Sequence, residues 1–336
     1  MQTDRTKILF ILPSLKAGGA ERVISFVATS LDKTKFHAEL LVLGNIEDAV
    51  YSTEGIDVHY LSKRRLIHSI HEIYGFIWTR KPKIVVGSIA HVNRVLSIFR
   101  WLFPRVWFIG REASVDLIIA KYTNKNRIKY WKLYKNYYRN LDYIICQSND
   151  MAKDLIDRYS LRRDKIKLIN NPISGHLPLK QSNSNENDVK QFITIGRLSR
   201  EKGYERILRI LSKFKIPFNY TIVGSGNEEE NIFNLAKELG LDDRITHIPY
   251  TDNVAQYLSK SDLFLQGSYV EGFPNALLES CVVGTPALAF DVLGGTKEII
   301  VSGINGFMAE NENDYLDLIY KSIEKKWEPA KVSESV

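Results

Sequence analysis

The chain has little cysteine and no long hydrophobic run. Its 336 residues include two cysteines, Cys146 and Cys281, both in apolar segments and far apart in the sequence. Small secreted folds that rely on disulfides contain more cysteines than this, so two buried thiols indicate a reducing cytoplasm. The most apolar region, 95–110, is broken by Arg100 and Arg105, which argues against a membrane span, and no secretory signal precedes it. We therefore expect a cytoplasmic protein.

Patterns that would favour two other classes of site are also missing. The seven histidines form no cluster with the two cysteines, so no metal site is predicted from them. The loop 12–19 near the amino end lacks a complete Gly-x-Gly-x-x-Gly, which a nicotinamide-dependent dehydrogenase of doubly wound fold would need.

The charge that is present is distributed unevenly. The net charge of +7 combines 29 basic and 16 acidic residues in 1–172 with 17 basic and 23 acidic residues in the remainder. Within 61–140 there are 17 basic, 3 acidic and 14 aromatic residues. Tryptophan and tyrosine beside cations are typical of surfaces that contact anionic lipid headgroups, so this segment predicts docking to an anionic membrane. The alternative is that many of these aromatic residues belong to the core.

Strand patterns alternate with helix patterns along the chain. Short apolar runs such as Lys7–Leu12 are typical of parallel strands covered on both faces, and the apolar residues from Ala20 to Leu31 recur on one helix face. The predicted strands are 7–12, 38–43, 83–87, 106–110, 142–147 and 165–169, followed by 192–195, 220–223, 245–248, 262–266 and 286–290. The alternation predicts an α/β protein of two tandem doubly wound, Rossmann-like domains that face each other across a cleft.

A polar stretch without periodicity separates the two predicted domains. The first domain spans 1–172, the linker 173–189 and the second domain 190–320, with a tail at 321–336. Ligands of doubly wound sheets bind at the carboxyl ends of the strands, so the motifs in the loops that follow strands are the candidates for a site.

The loop Gly196–Gly203 lies between a predicted strand and a predicted helix. Its terminal glycines allow tight turns and a close approach of the backbone to a ligand. Arg197 and Lys202 place two cations beside a helix start, which itself favours anions, so the loop predicts a diphosphate site. The alternative is a solvated loop with surface charges.

The stretch Glu271–Glu279 follows another predicted strand. Gly272 frees the backbone, and Pro274 suits the first turn of a helix, where a missing N–H costs nothing. The amides of Asn275 and Ala276 would then point toward an anion or sugar hydroxyls. Because a carboxylate accepts from two hydroxyls at once, Glu271 and Glu279 suit the recognition of a sugar and a ribose.

Two further glycine loops are weaker signals by themselves. Val223–Gly226 includes Gly224 and resembles part of a dinucleotide loop, and Lys16–Glu21 includes Gly18 and Gly19 between a strand and a helix. Each is equally consistent with a plain tight turn.

Together these motifs resemble the large retaining family of GT-B glycosyltransferases known as group 1 or family 4, of bacterial cell-surface polysaccharide type. The resemblance is carried by Gly18–Glu21, by Gly196 and Arg197 with Lys202, by the Glu271/Glu279 pair, and by Gly294–Ile300 with Asn305 and Gly306. It covers most of the chain, more strongly over 190–310 than over 1–172. In the family the last helix often crosses back to the first domain, so the tail 321–336 is a candidate for such a crossing.

The resemblance implies a role for each matching position. Arg197 and Lys202 would neutralise the leaving diphosphate, Glu279 would hold the ribose, and Glu271 would grip the donor sugar as the third catalytic residue. The remaining implied donor-binding residues are Gly18, Gly19, Gly196, Gly224, Tyr250, Phe273, Pro274, Asn275 and Ala276. Tyr250 belongs to the loop 247–251 that would flank the base.

The resemblance also implies the reaction. A hexosyl or N-acetylhexosaminyl group would pass from a nucleotide-diphosphate sugar to a glycan or lipid-linked oligosaccharide. We interpret the donor as a UDP-sugar, with GDP-mannose as the alternative. The anomeric configuration would be retained, and neither a metal nor another cofactor would be needed. The setting would be capsule, O-antigen or lipopolysaccharide synthesis by a cytoplasmic protein held peripherally on the inner face of the membrane.

The acceptor side is predicted from residues that follow first-domain strands. His91, Arg111, Glu112 and Ser148 are the candidates, each with a purely structural role as its alternative. Other hypotheses for the whole chain are a sugar-nucleotide epimerase of the same fold and a non-catalytic relative that only binds. Nucleic-acid binding would explain the basic half, but no known module supports it and it leaves 196–279 unexplained, so we expect no nucleic-acid partner.

Overall fold

The computed structural model of the chain describes residues 5–63, 65–112, 137–173, 177–181 and 189–336. The described residues up to 173 form one compact unit, and those from 177 onward form the other. Each unit is built around its own parallel sheet.

The first unit contains a seven-stranded parallel sheet in its described part, in the order β3-β2-β1-β4-β5-β6-β7. Its strands are β1 Thr6–Leu12, β2 Phe36–Val42, β3 Asp57–Tyr60, β4 Ile84–Ser88, β5 Trp107–Arg111, β6 Tyr143–Cys146 and β7 Ile166–Leu168. Its helices are α1 Gly19–Ser30, α2 Ile70–Arg80, α3 Ala90–Leu102, α4 Tyr137–Asn140 and α5 Asn149–Tyr159. The interior strand β1 pairs with both β2 and β4, which is why Ile8–Leu12 is apolar throughout and buried.

The second unit contains a six-stranded parallel sheet in the order β10-β9-β8-β11-β12-β13. Its strands are β8 Lys190–Ile195, β9 Phe218–Val223, β10 Ile245–Ile248, β11 Leu263–Gln266, β12 Ala287–Phe290 and β13 Gly306–Ala309. Its helices are α6 Tyr204–Leu211, α7 Glu229–Glu238, α8 Val254–Ser259, α9 Asn275–Val283, α10 Thr296–Ile299, α11 Glu312–Glu324 and α12 Pro329–Glu334. Apolar side chains cover both faces of this sheet in two clusters, one around Tyr220 and Leu265 and the other around Phe264 and Cys281.

The predicted α/β class with two Rossmann-like sheets is confirmed, and two strands were not predicted. β3 lies at the edge of its sheet, where Asp57 is exposed and the next three residues are half-buried. Its sequence, Asp-Val-His-Tyr, therefore carries little apolar signal. β13 is a four-residue strand that begins with glycine, and its backbone lies too close to β12 for a side chain: a Cβ on Gly306 would be 2.0 Å from the carbonyl oxygen of Ala287.

Both ends of the second unit are attached to the same region. Lys180, in the predicted linker, donates its backbone N–H to the carbonyl oxygen of Val283 at 2.8 Å. In the predicted tail, α12 packs against α9, where Ser333 donates to the carbonyl oxygen of Val282 at 2.7 Å and Val332 is buried. The carboxyl-terminal helix α12 is therefore anchored within the second unit.

Candidate functional site

Most of the predicted donor residues gather at one edge of the second sheet. Because all six strands are parallel, the loops that follow β8, β9, β11 and β12 leave the sheet at the same, carboxyl edge. These loops carry Gly196–Gly203, Gly224, Ser268–Pro274 and Gly294–Gly295. The geometry of the site is set by close contacts between these loops.

The loops after β8 and β9 touch through their backbones. A Cβ on Gly224 would lie 2.0 Å from the carbonyl oxygen of Gly196, and the φ of Gly224 is +139°, so only glycine fits there. The hydroxyl of Tyr204 donates to the same Gly196 oxygen at 2.9 Å, and His247 contacts the carbonyl oxygen of Gly224 at 2.8 Å. The predicted base-flanking loop that begins at His247 is thereby fastened to the Gly224 loop.

The loops after β8 and β11 are also in backbone contact. The φ of Gly203 is +61°, and a Cβ there would lie 2.1 Å from the carbonyl oxygen of Gly267. The backbone N–H of Tyr269 donates to the carbonyl oxygen of Glu201 at 2.9 Å. These contacts place Lys202, at the end of a 3-10 turn, directly beside the loop that carries Glu271.

Glu271 is buried and its carboxylate is held through one oxygen. The Nζ atom of Lys202 lies 2.7 Å from Oε1 of Glu271, and the hydroxyl of Ser268 donates to the same oxygen at 2.6 Å. Glu271 is 8% exposed and Ser268 is 3% exposed. A carboxylate out of water requires such partners, and these two supply a cation and a hydroxyl.

The backbone of Glu271 is held from the other side by the loop after β12. Its N–H donates to the carbonyl oxygen of Leu293 at 3.1 Å, and a Cβ on Gly294 would lie 1.9 Å from the Glu271 carbonyl oxygen. Gly295 similarly leaves room for the ring of Phe273, since a Cβ there would be 2.4 Å from that ring. These two close approaches explain why two adjacent positions, 294 and 295, are both glycine.

Helix α9 begins at Asn275, with Pro274 as its N-cap residue, one position earlier than the first-turn placement predicted for the proline. The first amides of a helix, here from Asn275 and Ala276 onward, lack an acceptor within the helix and attract anions. Glu279 lies in the second turn and is only 4% exposed. The helix therefore presents its positive end at the same edge as Lys202 and Glu271.

Two predicted donor residues project into solvent. Arg197 is exposed and forms no ion pair with any described residue. Tyr250, which follows β10, is 56% exposed. Both side chains remain available to a ligand.

Sequence reasoning missed Ser268, the second partner of the Glu271 carboxylate. The signal for it was a serine two positions after the buried strand β11 and three positions before the glutamate. It missed Asn93 in the first unit for a similar reason: this buried amide lies among apolar residues on the core side of α3.

In the first unit, Arg111 and Glu112 are buried at the carboxyl end of β5. Arg111 donates to Asn171 at 2.7 Å and to Ser88 at 3.3 Å, and burial lowers its pKa to about 10. Glu112 accepts from the side-chain amide of Asn93 at 2.9 Å. These two acceptor candidates, adjacent in the sequence, are thus both buried and hydrogen-bonded within the first unit.

The other two acceptor candidates have different surroundings. The hydroxyl of Ser148 accepts from the backbone N–H of Met151 at 3.3 Å, as the N-cap of α5, and the residue is buried. His91 is exposed in the first turn of α3. The capping contact gives Ser148 a structural role whatever its part in binding.

Gly18 and Gly19 lie at the start of α1, as the sequence predicts. The hydroxyl of Tyr51 accepts from the N–H of Gly18 at 2.8 Å and donates to its carbonyl oxygen at 3.0 Å. A Cβ on Gly18 would lie 2.3 Å from the Glu21 carboxylate, which folds over this turn. In this structure the Gly18 amide therefore already has a partner.

The basic and aromatic segment 61–140 divides into core and surface. Phe99, Phe103 and Phe108 are buried, which confirms the core alternative for them, whereas Trp78 and Trp101 are 62% and 75% exposed. The aromatic and basic residues between 113 and 136 lie outside the described part of the chain. None of the described helices is both long enough and apolar enough to cross a bilayer.

Across the described ranges, no group of three or more histidine, cysteine, aspartate or glutamate side chains is arranged to hold a metal ion. The expectation of a metal-free site stays a prediction.

Comparison with known families matches both halves of the chain. Residues 17–174 match the model described as Glycosyltransferase Family 4, and residues 178–334 match that described as Glycosyl transferases group 1.

Individual relatives extend over most of the chain. An uncharacterised glycosyltransferase of Haemophilus influenzae is 28% identical over 90% of this chain and 86% of its own length. The N-acetylgalactosamine-N,N'-diacetylbacillosaminyl-diphospho-undecaprenol 4-alpha-N-acetylgalactosaminyltransferase of Campylobacter jejuni is 22% identical over 92% and 87%. The lipopolysaccharide 1,6-galactosyltransferase of Escherichia coli is 25% identical over 90% and 84%.

The fold is shared with a solved relative. The structure of Anabaena Alr3699/HepE in complex with UDP-glucose superposes with a TM-score of 0.80, at 19% identity, over 98% of this chain and 93% of that one. The chain is therefore a glycosyltransferase of the GT-B fold, with one region that matches the family 4 model followed by one that matches the group 1 model.

Proposed function

We propose that this chain is a retaining glycosyltransferase that moves a hexosyl or N-acetylhexosaminyl group from a UDP-sugar to a glycan or a lipid-linked oligosaccharide. The observation that carries the proposal is the arrangement at the carboxyl edge of the second sheet. There, a cation on Lys202, a buried carboxylate on Glu271 and the start of α9 lie around glycine loops whose backbones touch.

These groups match the parts of a nucleotide-diphosphate sugar. Lys202 and Arg197 bind the diphosphate together with the first amides of α9, because cations and a helix start both stabilise negative charge. Glu271 accepts hydrogen bonds from hydroxyls of the sugar, and Glu279 accepts them from the ribose. Tyr250, exposed in the loop that begins at His247, flanks the base.

The transfer step follows from this arrangement. The bond between the anomeric carbon and the diphosphate oxygen breaks, and Lys202 and Arg197 stabilise the charge that develops on the leaving group. The acceptor hydroxyl forms its bond on the same face, and its proton passes to the leaving phosphate oxygen. This step is proposed without a metal, since the two cations and the helix start supply the stabilisation.

The nature of the acceptor is proposed from the relatives. The names of two of them specify a diphospho-undecaprenol-linked glycan and lipopolysaccharide. We assign this chain to the same broad setting, the synthesis of capsule, O-antigen or lipopolysaccharide. Arg111 and Glu112 are its proposed acceptor contacts in the first unit, with His91 and Ser148 as further candidates.

Docking to an anionic membrane belongs to the same proposal. Trp107 begins β5, and Trp78, Trp101 and Leu102 lie at the ends of α2 and α3, so these exposed residues share the amino edge of the first sheet. We call these four residues, with the exposed cations Lys81, Lys83 and Arg105, the amino-edge patch. Rings at headgroup depth beside cations suit an anionic bilayer, and each such cation contributes about 1 kcal/mol.

The donor half is tested by thermal unfolding with a panel of nucleotides. UDP, GDP, UDP-glucose, UDP-galactose, UDP-N-acetylglucosamine and GDP-mannose are each added to the full chain. A ligand at a hundred times its dissociation constant adds about 2.7 kcal/mol, which is easily seen as a rise in melting temperature. Stabilisation by UDP and a UDP-sugar supports the proposal. Stabilisation by GDP-mannose alone overturns the base assignment, and stabilisation by none overturns the donor site.

The chemistry is tested with the donor that binds. Transfer to an acceptor with the donor's anomeric configuration, measured by proton NMR and unchanged by EDTA, supports a retaining, metal-independent enzyme. Conversion of the donor sugar into its epimer without an acceptor would favour the epimerase alternative. Binding without any turnover would favour a non-catalytic relative.

A further inference from the structure

We propose that Ser268 is a positioning residue that divides the Glu271 carboxylate between protein and substrate, holding Oε1 so that Oε2 faces the donor sugar. The inference deepens the proposed function and rests on it. It gives a residue outside the recognised motifs a role in binding the donor sugar and none in binding the diphosphate.

The two carboxylate oxygens of Glu271 have different surroundings. Oε1 receives hydrogen bonds from both Ser268 and Lys202, at 2.6 and 2.7 Å. Among the described residues, Oε2 receives none. A carboxylate with one oxygen fixed from two directions has little rotational freedom, so the direction of its second oxygen is fixed as well.

Backbone contacts between loops fix the positions of the two donors, Ser268 and Lys202. Ser268 leaves the carboxyl end of β11, whose position against the Lys202 loop is set by the contact between Gly203 and Gly267. The backbone of Glu271 is held independently by Leu293. Both hydrogen bonds to Oε1 are therefore made between groups that the backbone already places within reach, as preorganised recognition requires.

Ser268 and Lys202 differ in the number of hydrogen bonds that each can donate. An ammonium group has three N–H donors, and Glu271 occupies one of those of Lys202. The others remain for the diphosphate, so Lys202 serves both ends of the donor. Ser268 is buried and has a single hydroxyl donor, which goes to Glu271, so its contribution is confined to the sugar end.

The consequence is a specific split in binding. Removing the Ser268 hydroxyl frees the carboxylate to rotate and weakens the recognition of sugar hydroxyls, while the diphosphate keeps Lys202, Arg197 and the helix start. Because a hydrogen bond to a charged group contributes about 1.5–3 kcal/mol, the loss for the sugar is roughly tenfold to a hundredfold.

The experiment compares Ser268→Ala, Ser268→Thr and the matched control Ser261→Ala. Ser261 flanks the other, amino end of β11, is also buried, and donates to the carbonyl oxygen of Tyr257 at 2.9 Å. Dissociation constants are measured by calorimetry for UDP and for UDP-glucose, or for whichever UDP-hexose stabilises the parent, together with kcat and KM for transfer.

The expected result is that Ser268→Ala binds UDP within about twofold of the parent but loses at least tenfold in UDP-hexose affinity or kcat/KM. Ser268→Thr, which keeps the hydroxyl, recovers most of the loss, and Ser261→Ala shows no such split. Equal losses for UDP and UDP-hexose, or no loss for either, overturn the positioning role. Failure of the parent to bind any UDP compound counts against the proposed function instead.

Discussion

Gly203 and Gly267 lie so close that a side chain on the first would collide with the backbone of the second. A Cβ on Gly203 would be 2.1 Å from the Gly267 carbonyl oxygen, and the φ of Gly203 is +61°. This contact joins the loop that carries Lys202 to the loop that carries Glu271. The proposed donor site therefore depends on a contact between two backbones as well as on its charged side chains.

Replacing Gly203 by alanine should destabilise the second unit and weaken donor binding together. The left-handed conformation costs an alanine about 1–2 kcal/mol, and the collision adds about 1–3 kcal/mol. The matched control is Gly240→Ala, because Gly240 has a φ of +66° with nothing within 4 Å of its would-be Cβ. Urea unfolding should show the larger loss for Gly203→Ala. Equal losses would mean that the contact between the loops adds nothing to the cost of the conformation.

Lys202→Met should lower kcat/KM by two orders of magnitude or so, since it removes a cation from the charge that develops on the diphosphate. The control is Lys331→Met. Lys331 also lies 2.7 Å from a glutamate, Glu328, but that pair is exposed on the surface of the same unit. Lys331→Met should leave turnover unchanged and should change the free energy of unfolding by less than about 1 kcal/mol. Turnover that survives Lys202→Met combined with Glu271→Ala would contradict the site assignment.

Arg197→Ala should weaken diphosphate binding without affecting the free energy of unfolding. Arg197 is exposed, and its side chain forms no ion pair or hydrogen bond with a described residue, so truncating it removes no polar contact among the described residues. We expect UDP affinity to fall about tenfold at low salt and less at high salt, because an exposed charge is screened. Arg200→Ala, an exposed arginine of the same loop, should change neither quantity. Loss of stability in Arg197→Ala would show that the side chain has a structural role.

The fold could be predicted from the sequence because buried parallel strands leave an unmistakable apolar pattern. Ile8–Leu12 and Leu263–Gln266 are of this kind, whereas the half-buried edge strand Asp57–Tyr60 carries no such signal. The donor motifs could be placed because loops after parallel strands must emerge at one edge.

The parts that could not be predicted depend on contacts between residues distant in sequence. The hydrogen bond from Tyr51 to Gly18 and the pairing of Lys202 with Glu271 join positions 33 and 69 residues apart. The burial of each aromatic residue in 61–140 also depends on tertiary packing, so composition alone does not distinguish buried Phe108 from exposed Trp101. Local patterns report the environment of a strand or helix, and these contacts arise only from its packing.

Stability should fall as pH rises above about 9. Burial raises the pKa of the Cys281 thiol from 9.0 to about 12, and it raises the pKa of Tyr204 and Tyr315 well above 10.0. The unfolded chain releases these protons first, so each group's contribution is complete below its unfolded pKa and is lost as pH rises beyond it. The loss is about 1.4 kcal/mol per group and pH unit. Arg111, whose pKa burial lowers to about 10, acts in the opposite direction above that pH.

Urea unfolding between about pH 8 and 11, followed with phenolate absorbance, checks this expectation. The absorbance of the buried tyrosines should appear together with unfolding. Phenolate absorbance from all tyrosines in a protein that remains folded would contradict it.

Removing two tryptophans from the amino-edge patch should weaken binding to anionic vesicles while leaving glycosyl transfer to a soluble acceptor unchanged. Trp101 and Trp78 are 75% and 62% exposed, so partial insertion of both rings would bury apolar surface that is now in water. At about 1 kcal/mol for each partly inserted ring, Trp78→Ala with Trp101→Ala should cost roughly thirtyfold in partitioning. Flotation with phosphatidylcholine vesicles containing phosphatidylglycerol measures this loss, and vesicles of phosphatidylcholine alone should bind weakly.

The matched control for this experiment is Val301→Ala with Ile304→Ala, since these are also exposed apolar residues but lie in the second unit. They should bind vesicles as the parent does. An equal loss in both double variants would mean that exposed apolar surface in general, and not the patch, determines the partitioning. A different result would be a parent chain that fails to bind vesicles but retards an oligonucleotide in a gel at low salt. That result would assign nucleic-acid binding to the basic half and overturn the proposed membrane docking, without bearing on the proposed donor site.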